Sequence, residues 1–255
     1  NGLAIIKIIY MKFDVVTLFP ELIMDSVNHG ITSRALKDKK ISLKTYNPRL
    51  FSNRKGGQID DNPFGGGPGM LMQAEPVIQA LKEAKKNSSN PYTIYMTPQG
   101  KPFNQSKAIE FSKKEHLVIL CGRYEGVDQR IIDTEIDEES SVGDFVLSGG
   151  EIPSLVLIDA ISRFLEGVVG DPKSVETDTF SNGLLKYPQY TRPELSEFGD
   201  VPKVLLSGDH KLIKRWQLKQ SLLKTRKNRP DLLKDRDFSE EEEEIMKEII
   251  REDES

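Results

Sequence analysis

The stretch ILCGRYEGVDQR, residues 119–130, decides how this chain is read. Apolar residues ending in Cys121 run straight into Gly122, and a charged, glycine-flanked turn follows. A buried strand that ends in such a turn is where an open α/β sheet presents its ligand. Two further turns of this kind occur, YMTPQG at 95–100 and SVGDFVLSGGE at 141–151. Three such loops predict one shared small-molecule pocket.

Outward from that stretch, strands and helices alternate. KFDVVTLF (12–19) reads as a strand, and Pro20 suits the first turn of a helix through Val27. ITSRALKDK reads as a helix, ISLKTYN (41–47) as a strand, and 48–72 as a long glycine-rich loop. QAEPVIQALKEAKK places Val77, Ala80, Leu81 and Ala84 on one helical face. YTIYM (92–96) and HLVILC (116–121) read as strands, with the helix NQSKAIEFSKK between them capped by Asn104. VDQRIIDTE predicts a helix, FVLS (145–148) a short strand, and IPSLVLIDAISRFLEGVV (152–169) a long apolar helix. This alternation predicts an α/β fold over 11–169, a parallel sheet flanked by helices. GDPKSVETDTFSNGLLKYPQY (170–190) reads as a linker. Residues 191–255 read as a small, charged helical domain, and residues 1–10 as a leader or vector-derived remnant, with an extra strand as the alternative.

Composition narrows the function classes. The chain has 255 residues, 37% of them hydrophobic, enough to bury a core. No apolar run reaches the roughly 20 residues of a membrane span. A single cysteine excludes a disulfide framework and a Cys-based zinc site, which fits a reduced, cytoplasmic setting. His29, His116 and His210 lack metal-ligand spacing and read as surface or structural residues, so no metal site is expected. Net charge is −4, but eight Lys or Arg and no Asp or Glu lie between His210 and Arg229, followed by five Glu at 240–244. A mildly acidic protein with one concentrated basic helix has a localised anionic partner.

Several residues stand out for chemistry. DNPFGGGPGMLM (61–72) lacks the spacing of a nucleotide phosphate loop, and its glycines allow close approach of another backbone or a flat ring. Gly122, Gly143, Gly149 and Gly150 offer bare backbone to a purine edge, and Leu120, Val146 and Leu147 offer apolar walls. Glu125 and Asp144 are suited to a cationic ligand group. Arg163 interrupts an apolar helix and has Asp159 one turn earlier as a structural partner. Asp178, between two threonines, reads on its own as a loop residue capping its own backbone. In HKLIKRWQLKQSLLKTRKNR, Ile213, Trp216 and Leu223 form an apolar side, Trp216 anchors a small core, and Lys214, Arg215 and Lys219 suit phosphate contacts. Ser239 and Glu242 fit a capping box.

Taken in order, DVVTLFPEL, NPRLF, DDNPFGGGPGMLM, PQG, LCGRYEGVDQR, SVGDFVLSGGE, LIDAISRF, PQYTRP and RWQLKQSLLKTRKNRPDLL resemble the bacterial tRNA (guanine-N1)-methyltransferases, a family of the SPOUT methyltransferases. The resemblance runs from Met11 to about Leu233. It implies a deep trefoil knot, an exception to the rule against threaded chains. It also implies an obligate homodimer with the active site at the subunit interface. S-adenosylmethionine is the implied donor, held by Tyr95, Thr97, Pro98 and Gln99, by Gly122 and Glu125, and by Val142, Gly143, Asp144, Phe145, Val146, Leu147, Gly149 and Gly150. The implied substrate is guanosine 37 in the tRNA anticodon arm, preceded by another guanosine.

On the same resemblance, Asp178 is the general base for the N1 proton and Arg163 stabilises negative charge on O6. Free aspartate is a weak base, so closure of the linker over the substrate has to adjust it. The family also implies assistance by magnesium. Phe145 stands where tyrosine is common, and Gln189 where histidine is common. Two other functions remain open on sequence: a knotted methyltransferase acting on ribosomal RNA or ribose, and a non-catalytic RNA-binding module.

Overall fold

A computed structural model describes residues 11–86, 88–171 and 177–253 of the chain. The leader reading for residues 1–10, and part of the expected linker, fall outside the described residues. The chain divides into two compact units, Asn1–Pro172 and Lys173–Ser255.

The first unit is built on a five-stranded, all-parallel sheet of order β2-β1-β6-β5-β7. Its strands are β1 (Met11–Val16), β2 (Ile41–Tyr46), β5 (Tyr92–Pro102), β6 (His116–Cys121) and β7 (Glu138–Ser141). The first-unit helices are α1 (Pro20–Ser26), α2 (Gly30–Lys37), α3 (Ala74–Lys85), α4 (Gln105–Ser112), α5 (Gln129–Glu135) and α6 (Glu151–Ser162). A two-stranded hairpin of β3 (Asp60–Asp61) and β4 (Leu71–Met72) brackets the glycine-rich loop.

β6 shows why the sheet buries both faces. All six of its residues are buried. Side chains alternate across a strand. Leu117, Ile119 and Cys121 therefore join the core that includes Ile23 of α1, Phe111 of α4 and Leu157 and Ile161 of α6. Val118 and Leu120 join the opposite core with Val77, Ala80 and Leu81 of α3 and Ile131 of α5. The buried His116 is structural, with Nε2 3.0 Å from Asp14 Oδ2 on β1. The Asn104 cap forms as expected, its side chain accepting from the Lys107 amide.

Three expectations differ from the structure. FVLS is not a strand: the segment turns at Gly143, whose φ is +151°, and Phe145 N–H bonds straight back to Gly143 O. Its apolar side chains stay exposed, with Val146 at 84%. The edge strand is instead Glu138–Ser141, because pairing needs backbone groups rather than an apolar run. The long apolar helix ends at Ser162, and a tighter turn follows, with Leu165 N–H bonding to Ser162 O and Gly167 at φ +74°. Leu165 and Val168 still pack into the core, so apolar spacing outlasts the helix. The strand expected at 92–96 continues to Pro102, interrupted by a register shift between Met96 and Lys101.

The second unit holds α7 (Lys203–Leu206), α8 (His210–Asn228) and α9 (Glu240–Asp253). Its core is Leu184, Leu222, Ile245 and Ile249. Leu184 lies in the stretch expected as a linker, yet it is buried with α8 and α9. The fully buried residues of α8 are Ser221, Leu222 and Thr225; of the expected apolar side, Leu223 packs against this core and Ile213 and Trp216 do not belong to it. Trp216 packs against Tyr190, ring centroids 6.5 Å apart, outside that core cluster. The capping box forms: Glu242 N–H donates to Ser239 Oγ (3.3 Å) and Ser239 N–H to Glu242 Oε2 (2.9 Å). No helix among the described residues is long and apolar enough to cross a membrane.

Candidate active site

β5, β6 and β7 are adjacent and parallel, so the interruption of β5 between Met96 and Lys101 and the loops that follow β6 and β7 come to one place. There a cavity of about 330 Å³ opens, within the range of small-molecule sites. Tyr95, Thr97, Pro98, Gln99, Gly122, Glu125, Val142, Gly143, Phe145, Val146, Leu147, Gly149 and Gly150 all line it. Of the loop residues expected there, Asp144 is exposed and is not among the lining residues.

The glycines explain the shape. A Cβ on Gly122 would sit 2.8 Å from the Tyr95 ring, and one on Gly150 would sit 2.7 Å from Cys121 Cα. One on Gly100 would sit 2.3 Å from Ser140 N, where β5 resumes beside β7. These positions keep the walls thin and the backbone accessible, a cradle suited to a flat heterocycle. Gly150 N–H donates to Gly122 O (3.0 Å), tying the second and third loops. Burial pushes the Tyr95 phenol above its ordinary value, so the ring serves as an apolar wall at neutral pH. Burial likewise pushes the Cys121 thiol far up, which leaves it an unreactive core residue behind the cavity wall.

The glycine-rich segment 61–72 is not a free loop at its end. Glu125 N–H donates to Met70 O, Met72 N–H to Gly126 O, and Asp128 N–H to Met72 O. A Cβ on Gly69 would lie 2.4 Å from Glu125 Cγ, so the segment's end lies against the second pocket loop. Sequence reading missed Arg123, which lines the cavity, and Glu151, which is 1% exposed at the start of α6. A carboxylate opening an otherwise apolar helix was the available signal.

Arg163 is the half-buried C-cap of α6, in the first unit. Asp178 belongs to the second unit. Its Oδ1 accepts from Thr179 N–H (2.9 Å), as its turn-capping reading expected. It also lines a cavity of about 250 Å³ with Asn182, Lys186, Tyr187 and Gln217. Two residues on, Phe180 holds φ +72°, a conformation costly for a bulky side chain and common near functional groups.

The basic helix α8 is partly neutralised. Arg215 pairs with Glu248, Lys219 with Glu252 (2.7 Å) and Arg226 with Asp253, all on α9. Lys214 is exposed. Among the described residues, no group of three or more His, Cys, Asp or Glu stands together to hold a metal ion.

Fold and site thus define an α/β protein with a glycine-walled ligand cavity at the carboxyl edge of a parallel sheet. Residues 11–235 match the family described as tRNA (Guanine-1)-methyltransferase TrmD. The chain belongs to that family. It is 48% identical over 237 residues to the tRNA (guanine-N(1)-)-methyltransferase of Buchnera aphidicola subsp. Schizaphis graminum, covering 93% of this chain and 90% of the relative. It is also 48% identical over 243 residues to the protein of that name from Vibrio vulnificus (95% and 98% covered) and over 246 residues to that from Vibrio atlanticus (96% and 100%).

Proposed function

We propose that this chain methylates N1 of guanosine 37 in tRNA, with S-adenosylmethionine as donor. The observation that carries the reading is the cavity built from three sheet-end loops, in a chain of this family. The bare backbone of Gly122, Gly149 and Gly150 suits an adenine edge, and Tyr95 and Leu147 supply apolar walls. Glu125 lines the same cavity, and its carboxylate suits the donor's cationic amine. When bound, the donor supplies an electrophilic methyl group on a sulfonium.

Guanine N1 carries a proton and is a poor nucleophile until it leaves. In this reading the Asp178 carboxylate takes that proton, the N–H electron pair becomes the nucleophile, and the Arg163 guanidinium offsets charge spreading onto O6. Aligning the two reactants contributes much of the acceleration. Magnesium assistance, which the family resemblance implies, is assigned to no residue here: no group of three or more His, Cys, Asp or Glu stands together among the described residues.

The proposed organisation follows the family resemblance. Residues 11–169 form a knotted donor domain and 191–255 a tRNA-binding domain; of the expected linker 170–190, the stretch around Leu184 packs with the second unit. Exposed Met24, Ile152 and Val156 on α1 and α6 suit a homodimer interface, with the active site completed by the second copy. A reduced cytoplasm, where tRNA resides, is the proposed setting.

The deciding experiment is mapping the modified nucleotide after incubation with labelled donor and tRNA transcripts that differ at positions 36 and 37. Methylation only where guanosine 37 follows guanosine 36 supports the reading. Equal methylation of all transcripts, or none despite donor binding, overturns it.

The RNA-facing part of α8 is proposed to include Lys214, Arg215 and Lys219. Arg215 and Lys219 must exchange Glu248 and Glu252 for phosphate, whereas Lys214 need not. Lys214→Gln is therefore expected to reduce the salt slope of tRNA binding by about one unit. Arg215→Gln with Lys219→Gln is expected to lower the melting temperature slightly as well, since each removal breaks a partly exposed ion pair to α9. Binding across a salt series and thermal unfolding of the same variants check both outcomes.

A further inference from the structure

One charged pair beside the donor cavity has no part in the reaction just described. Arg123 follows Gly122 in the turn after β6. Its Nη1 donates to the Ser148 carbonyl (3.0 Å), its Nη2 stands 2.8 Å from Glu151 Oε2, and its guanidinium lies 4.4 Å from the centre of the Phe19 ring. Glu151 Oε1 accepts from Thr17 Oγ1 at 2.7 Å, and Thr17 Oγ1 in turn accepts from Phe19 N–H. A Cβ on Gly149 would sit 2.2 Å from Arg123 Nε, so the guanidinium lies against loop backbone where only glycine leaves room.

These contacts join three stretches of chain far apart in sequence: the end of β1, the turn after β6, and the loop after β7 with the head of α6 that it runs into. Burying a carboxylate and a guanidinium gains little net stability, because lost hydration offsets their attraction. What a planar fork of fixed donors supplies is geometry. The turn after β6 and the loop after β7 are walls of the cavity, and both are glycine turns with little stiffness of their own.

We infer that Arg123 is a positioning residue for the donor site: bridging Ser148, Glu151 and Phe19, it holds the 122–126 and 142–150 turns at the separation the adenosyl donor requires. This rests on reading that cavity as the S-adenosylmethionine site. Arg123 also lines the cavity, so direct contact with the donor is the competing role. Glu151 is not among the lining residues, and an effect of Glu151 on donor affinity reports positioning alone.

The test is calorimetric titration of S-adenosylmethionine into the full chain and its variants, with thermal unfolding and turnover at saturating donor. Arg123→Gln and Glu151→Gln are each expected to weaken donor binding by about ten-fold or more, and the double variant no further than the weaker single, as expected of one coupled unit. Turnover at saturating donor should fall far less, a KM effect rather than a kcat effect. Arg123→Lys should not restore affinity, since it keeps the charge and loses the fork. Thr17→Val, similar in volume, removes the hydroxyl that donates to Glu151 and accepts from Phe19 N–H, leaves the Arg123–Glu151 pair itself intact, and should weaken binding about three-fold. It decides the matter if the charge variants do not fold.

Wild-type affinity in folded Glu151→Gln and Thr17→Val, or full rescue by Arg123→Lys, overturns the positioning role. Failure of the wild-type chain to bind S-adenosylmethionine overturns the reading of the cavity itself, a different result.

Discussion

Asp178→Asn is expected to lower methyl transfer to tRNA by about 10²–10⁴-fold, the span for loss of a general base. Donor affinity should stay within about two-fold of wild type, because the change removes proton acceptance and not a donor contact. The amide keeps the volume of the carboxylate and an oxygen for the Thr179 N–H, which is 2.9 Å from Asp178 Oδ1. Its effect therefore separates basicity from turn geometry. Single-turnover methylation with both substrates saturating is the measurement. A loss that appears in donor affinity instead would place Asp178 in the donor site and remove it as the base. Residual activity that climbs with pH in the variant, as solvent hydroxide replaces the lost base, would support the assignment further.

Gly150→Ala is expected to weaken donor binding strongly, for a steric reason. The new Cβ would lie 2.7 Å from Cys121 Cα and 3.0 Å from Gly122 N. Neither neighbour can retreat: Cys121 ends the wholly buried β6, and Gly150 N–H is bonded to Gly122 O. Overpacking of this kind costs roughly 1–3 kcal/mol. Taken up as a shift of the third loop, that becomes about five- to 150-fold in donor Kd. Gly170→Ala is the matched control, because its Cβ meets nothing within 4 Å. Calorimetry on the two variants checks the contrast, and equal affinities would show that the contact is looser than its geometry implies.

Both predictions rest on features that were legible in sequence to different degrees. HLVILC was readable as a buried strand because six apolar or paired residues admit no exposed face, and its ending at Gly122 marked a turn whatever followed. The three loops were recognisable for the same local reason, glycine where a side chain has no room. FVLS misled because an apolar run carries no record of whether its backbone finds a neighbour. Here it lies beyond the edge strand, and its side chains line a cavity instead. The basic stretch of α8 misled in the same way. Charge was visible, but three of its cations face carboxylates of α9 that lie about thirty residues away in the chain.

The amino-acid order on its own determined the alternation of strands and helices, the parallel sheet, the glycine turns and the family. These follow from hydrophobic period and from residues whose backbone freedom is local. Only the tertiary structure decided which strand stands at the sheet edge, which face of α8 is buried, and that Arg123 reaches Ser148 and Glu151 across 25 and 28 positions of sequence. The physical reason is that an ion pair or a steric wall forms between groups brought together by folding, and its energy depends on separations in space that no run of neighbouring residues encodes.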